Sequence, residues 1–238
     1  MRRLRDRRAD CPCGRPPMWA DDPMRRPEFI ARQSRHPSGW LGRAIARLMA
    51  FETAAANDAA LDSLQLRPDD RVLEIGFGHG RTIARAAHRV PQGLVAGVDH
   101  AEAMLHAARR RCAGLIAQGR VHLQCGDSAR LPFPVAAFDK VLAVHTLYFW
   151  RPAAPHLREI RRVLCAGGSL VLAFRPAGTP GSTRFPSDVY TFYRPEDVRD
   201  LLVAARFGTI ETLRHSPELV FTLASVESRS IDQKEAIQ

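Results

Sequence analysis

Hydrophobic positions along this chain fall into short runs rather than long stripes. Between residues 66 and 227, Val72 to Ile75, Leu94 to Val98, Val121 to Gln124, Phe138 to Val144 and Ser169 to Phe174 read as strands. Val72, Leu73 and Ile75 in the first of them have the look of a buried parallel strand. Between them lie segments whose apolar residues recur at helical spacing: Ile83, Ala84, Ala86 and Ala87, then Met104, Leu105 and Ala108 within 101–117, then 152–164. Strand and helix in repeated alternation predict right-handed crossovers and a parallel sheet. After a helix over 196–205, Thr209 to His215 and Leu219 to Ser225 finish the sheet as an antiparallel hairpin turned at Ser216-Pro217-Glu218. The expected class is therefore α/β, a doubly wound, mostly parallel seven-stranded sheet with helices on both faces. Its ligand crevice should lie at the carboxyl ends of the strands, where the strand order reverses.

Ahead of this region the pattern changes twice. Residues 1–27 are rich in Arg, Asp and Pro with little apolar periodicity, so they cannot offset their own ordering entropy and are expected to be a disordered basic arm. Met24 offers an alternative start. Residues 28–65 turn helical, with Pro37 and Gly39 dividing a short helix from a longer one. Ser38 is a natural N-cap there, and Trp40, Leu41, Ala44, Ile45, Leu48 and Met49 share one face. That stripe is expected to pack on the domain at 66–227, with a membrane-surface role as the alternative. The polar residues 228–238 read as a loose tail.

Composition changes the picture in two places. The formal net charge is +10, but residues 1–47 hold twelve Arg against five acids, so the fold itself is only mildly basic. This weakens a nucleic-acid reading. The cysteines at 11, 13, 112, 125 and 165 are odd in number and form no secreted framework, which points to a reducing cytoplasm. Cys11 and Cys13 have no second pair nearby, so no metal site is expected. No segment approaches the roughly 18 apolar residues of a membrane span.

The stretch V-L-E-I-G-F-G-H-G at 72–80 carries the chemistry. Gly76, Gly78 and Gly80 keep side chains out of the turn after the first strand, and the next helix points its free N–H groups at whatever lies there. A nucleotide-like cofactor suits such a place. Dinucleotide sites use G-x-G-x-x-G, whereas this chain reads G-x-G-x-G with Arg81 at the third dinucleotide position. The second strand ends at Asp99, a carboxylate placed to accept hydrogen bonds from ribose hydroxyls.

Glu74, Gly76, Gly78, Gly80 and Asp99 together resemble the class I S-adenosylmethionine-dependent methyltransferases. The likeness continues through G-D-S-A-R-L-P-F at 126–133, F-D-K-V-L-A-V-H at 138–145 and L-R-E-I-R-R-V-L-C-A-G-G-S-L-V-L at 157–172. These blocks stand in the family's order and look most like its small-molecule branch, which includes the ubiquinone and menaquinone methyltransferases. The resemblance implies a Rossmann-like methyltransferase fold, S-adenosyl-L-methionine as cofactor and a small-molecule methyl acceptor. By the same resemblance, His100 and Met104 flank the adenine, Asp127 receives its amino group with Ser128 beside it, and the 28–65 segment is a lid over cofactor and substrate. Met104 also fits plain helix-to-sheet packing, and both readings stand.

His145 to Trp150 leaves the fourth strand over the crevice, where the acceptor is met. The segment has neither the Pro-Pro-aromatic block of nucleobase amino methyltransferases nor a Pro-Cys nucleophile. His145 is the candidate base, with a cofactor contact or strand cap as the alternative. Tyr148, Trp40 and Tyr190 are the candidate acceptor contacts, the last in a long loop at 175–193. Competing functions are a non-catalytic S-adenosylmethionine-binding protein, an RNA methyltransferase and an NAD-dependent oxidoreductase, the last opposed by Arg81.

Overall fold

The computed structural model describes residues 53–179 and 182–227. The basic arm, the tail after 227, Trp40 and most of the 28–65 segment lie outside the described residues. The first described helix, α1, spans Ala54–Ser63. Then follow β1 (Arg71–Ile75), α2 (Arg81–Arg89), β2 (Leu94–Asp99), α3 (Glu102–Arg111), α4 (Ala113–Ala117), β3 (Val121–Cys125) and β4 (Phe138–Val144). The chain continues with α5 (Ala153–Val163), β5 (Leu164–Phe174), α6 (Pro195–Ala204), β6 (Ile210–Ser216) and β7 (Leu219–Ser225).

One seven-stranded sheet runs β3-β2-β1-β4-β5-β7-β6. The first five strands pair in parallel, and β7 is antiparallel to both β5 and β6. Strand order reverses between β1 and β4, so the crevice predicted by the doubly wound topology opens above their carboxyl ends. The period of two in each strand divides the core into halves. Val72, Leu142, Val144 and Val171 face α1, α2 and α3 through Leu61, Ile83 and Leu105. Leu73, Ile75, Val141 and Leu172 face α5 and α6 through Leu157, Ile160, Val198 and Leu202.

Two elements differ from the sequence-based expectation. The single helix over 101–117 is broken at Cys112 (ψ 14°), whose side chain is buried and whose thiol reaches the Gly80 carbonyl at 3.7 Å. The helix bends there to close over the glycine turn. Strand β5 starts at Leu164 rather than at Ser169, so Gly167 and Gly168 lie inside it. Gly167 takes φ +76°, and the β4–β5 register jumps from Phe138↔Leu164 to Lys140↔Ser169, so the extra residues form a bulge rather than a separate loop.

Candidate active site

A cavity of about 640 Å3 opens over β1, β2, β4 and β5. Its first wall is the glycine turn. The Gly76 amide donates to the Val98 carbonyl at 2.8 Å, which lays the turn across the tip of β2. Gly76 has φ +74°, and a Cβ there would stand 2.2 Å from Thr146 Cγ2, so this position tolerates no side chain. Asp99 braces the turn from below: its Oδ2 accepts the Gly78 amide at 2.8 Å and its Oδ1 the Ala101 amide at 2.9 Å.

Glu74 stands inside this wall and is buried. Its Oε2 has no hydrogen-bond partner among the described residues, and neither does the buried Thr146 Oγ1 that also lines the cavity. Burial, with the Asp99 carboxylate nearby, lifts the Glu74 carboxyl from its ordinary value of 4.5 to about 8. A buried acceptor without a donor costs about 1–3 kcal/mol, so the site is built to receive a donor or a cation at Glu74.

On the β3 side the loop after Cys125 brings Asp127 and Ser128 to the rim. Asp127 is exposed, and its Oδ1 accepts the Ala129 amide at 2.9 Å. Ser128 is buried and shares a 2.8 Å hydrogen bond with His156 Nδ1. His156, on α5, stacks on Trp150 with ring centroids 5.0 Å apart and planes at 7°. Desolvation lowers the His156 pKa against the opposing pull of Asp127, favouring the neutral ring.

The far wall is aromatic. His145 follows β4 in a left-handed conformation (φ +56°), a strained backbone that turns the chain into the Leu147–Phe149 turn over the cavity. Its Nδ1 lies 2.9 Å from the hydroxyl of buried Tyr148, which also accepts the Arg175 amide. Tyr148, Phe149, Phe185, Tyr190 and Phe192 form a ring cluster with centroids 4.8–6.2 Å apart. Arg151 holds the loop that carries three of them, donating to the carbonyls of Ser187 and Asp188 and to the Thr191 hydroxyl. Desolvation, with the Arg175 guanidinium close by, pulls the His145 pKa down to about 4.

Of the residues singled out from sequence, Glu74, Gly76, Gly78, Asp99, His100, Met104, Asp127, Ser128, His145, Tyr148 and Tyr190 all line this one cavity. Gly80 does not. It has φ +80° at the start of α2, and a Cβ on it would come within 2.7 Å of the Ala108 Cβ, so it is required by helix packing. Trp40 lies outside the described residues. Met104 is both buried and cavity-lining, so packing and contact coincide. Sequence reasoning missed His156, Arg175 and Phe185. Arg175 directly follows the carboxyl end of β5, and the rule placing ligands at strand ends would have found it.

A family model described as a methyltransferase domain matches residues 72–168. The uncharacterized methyltransferase YdaC of Bacillus subtilis (strain 168) is 30% identical over 129 residues, covering 54% of this chain and 69% of that protein. The chain belongs to the class I S-adenosylmethionine-dependent methyltransferases. A demethylmenaquinone methyltransferase of Symbiobacterium thermophilum is 38% identical over 106 residues, 44% of this methyltransferase, which spans only 42% of that relative's length. Among solved structures, the apo S-adenosylmethionine-dependent methyltransferase SibL is similar with a TM-score of 0.65 at 20% identity, covering 83% of this chain and 62% of that one. At that identity the likeness is one of fold.

The cofactor of this methyltransferase is S-adenosylmethionine, and the cavity fits it on physical grounds. Gly78, where a Cβ would meet nothing within 4 Å, leaves room for a ligand against the backbone, and the orphaned Glu74 oxygen answers a cationic donor such as its amino group. No helix among the described residues is long and apolar enough to cross a membrane.

Proposed function

We propose that this methyltransferase moves the methyl group of S-adenosylmethionine onto a small organic acceptor held against the aromatic wall. The observation that carries this reading is the continuity of the 640 Å3 cavity, which joins the glycine turn and Glu74 to the Tyr148 cluster in one chamber. Such a volume suits a small-molecule site. Glu74 would take the ammonium end of the cofactor, Asp99 the ribose, and Met104, Asp127 and Ser128 the adenine. When bound, the cofactor supplies a sulfonium whose methyl is already electrophilic. The chain's own task is then to fix the acceptor atom behind that methyl and exclude water. Positioning of this kind is worth roughly 7–11 kcal/mol, against about 3–5 kcal/mol for a general base. The activity named for the demethylmenaquinone relative supports a small acceptor, as does the concentration of most of the net positive charge in residues 1–47.

Residues 28–65 act as a lid in this reading. Thr53, Ala54 and Asn57 line the cavity, and α1 is tied to α2 by Asp58, which accepts from Arg81 at 2.8 and 2.9 Å and from Arg85 at 3.0 Å. We assign 1–27 as an arm outside the catalytic work and 66–227 as the methyltransferase domain, acting in the cytoplasm. Incubation of the full chain with methyl-labelled S-adenosylmethionine and an extract of its host tests the function: label should enter small organic molecules. Label found only in RNA or protein would sink the proposal.

A further inference from the structure

The hydroxyl of Tyr148 stands between two groups, and their demands fix where its proton goes. The Arg175 backbone amide can only donate, so the phenol oxygen accepts from it. The phenol's own proton then needs an acceptor, because a buried hydroxyl proton left unbonded costs about 1–3 kcal/mol. Among the described residues the one partner in reach is His145 Nδ1, at 2.9 Å. Nδ1 must present its lone pair, so the neutral imidazole carries its proton on Nε2. Burial pushes the Tyr148 pKa up and pulls that of His145 down, so neither group ionises near neutral pH. His145 is half-buried at the cavity wall.

A second donor stands beside it. Arg175 also lines the cavity, and its Nε is buried with no hydrogen-bond partner among the described residues. Its guanidinium lies over the Phe185 ring at 5.3 Å and is only partly answered by Glu218, on Nη2 at 2.9 Å. The aromatic half of the chamber therefore offers N–H donors from both His145 and Arg175.

We propose that Tyr148 is a positioning residue that holds His145 as an Nε2–H donor rather than a base, and that the acceptor is an oxyanion bound between His145 and Arg175. Carboxylate, phenolate and enolate oxygens share this chemistry. An acceptor arriving as its anion brings the electron pair for the new bond to the methyl carbon and has no proton to surrender. The pair that held the methyl remains on the cofactor's sulfur, so the transfer balances without a base from the protein. This inference rests on the assignment of the aromatic half as the acceptor site.

The test is nitrogen NMR of the 15N-labelled full chain with S-adenosylmethionine present, the His145 signals being assigned by their loss in His145→Gln. Two-bond couplings should show His145 protonated on Nε2 in the wild type, and a mixture of tautomers in Tyr148→Phe. A wild-type ring protonated on Nδ1 overturns the positioning role whether or not the Tyr148→Phe protein folds. Benzoate and benzylamine, matched in shape and opposite in charge, then probe the ligand class. Benzoate should shift the His145 Nε2 signal, and should cease to do so in Arg175→Met, while benzylamine leaves it unmoved. A response to benzylamine, or none to benzoate at about a hundred times the protein concentration, overturns the oxyanion assignment. Failure to bind S-adenosylmethionine by calorimetry would instead overturn the proposed function itself.

Discussion

Asp99 Oδ2 accepts the Gly78 amide at 2.8 Å, a bond that ties the tip of β2 to the turn leaving β1. The carboxylate therefore shapes the glycine turn as well as facing the cavity. Asp99→Ala should weaken S-adenosylmethionine binding by roughly 1.5–3 kcal/mol, the loss typical of a hydrogen bond to a charged group. Asp99→Asn, which keeps one oxygen acceptor, should lose less. Titration calorimetry reads both, and undiminished affinity in the alanine variant would remove Asp99 from the cofactor site.

Glu74 makes the cavity a proton-linked one. Its carboxyl titrates near 8 in the folded chain against an ordinary 4.5, so between those values the native state holds a proton that the unfolded state has lost. Stability from this group is thus full below about pH 4.5 and falls as pH rises toward about 8. The melting temperature of the wild type should drop relative to Glu74→Gln across that interval. If the ammonium of the cofactor meets an ionised Glu74, binding near pH 6.5 should also release a proton. Calorimetry in buffers of different ionisation enthalpy measures that release, which Glu74→Gln should abolish.

At Gly76 two costs can be separated. An alanine there must adopt φ +74° and also place its Cβ 2.2 Å from Thr146 Cγ2. Gly76→Ala should destabilise by more than the ~1 kcal/mol of backbone strain alone. Adding Thr146→Ser removes the clashing methyl and should recover the excess while leaving the strain. Chemical denaturation of the single and double variants checks this; equal stability of the two would mean the turn relaxes without Thr146.

His145→Ala should lower turnover roughly tenfold to a hundredfold, on the scale of one hydrogen bond to a charged group, with S-adenosylmethionine affinity retained. Since the ring titrates near 4, the wild-type rate should show no histidine limb between about pH 5.5 and 7.5. Steady-state rates over that range decide it. An ionisation near 6.5 that vanishes in His145→Ala would restore the ring as a base.

Strands announced themselves because burial on both faces leaves no other composition: β4 and β7 fall on the residues expected from their apolar runs. Helix ends were harder to read. The helix after β2 breaks at Cys112, whose buried thiol meets the Gly80 carbonyl, a contact 32 residues away that no local pattern encodes. The glycine turn, Glu74 and Asp99 were legible since three alternate glycines mark a tight turn and carboxylates stand out in an apolar run. His156 was not. Its role arises from distance in space, through Ser128 on the loop after β3. Gly80 was read as a contact because its motif does not distinguish a glycine that admits a ligand from one that admits a neighbouring helix.

The clamp that Arg151 places on the Ser187, Asp188 and Thr191 segment gives the chamber two independently built sides. Glu74, Gly76 and Asp99 belong to the tips of β1 and β2, while Phe185, Tyr190 and Phe192 ride on a single connection fastened by Arg151 at the cavity rim. Exchanging that connection would recast the lining presented to incoming molecules and leave the cofactor's berth where it is. A lineage could in this way acquire new chemistry on one shore of the cavity without rebuilding the other.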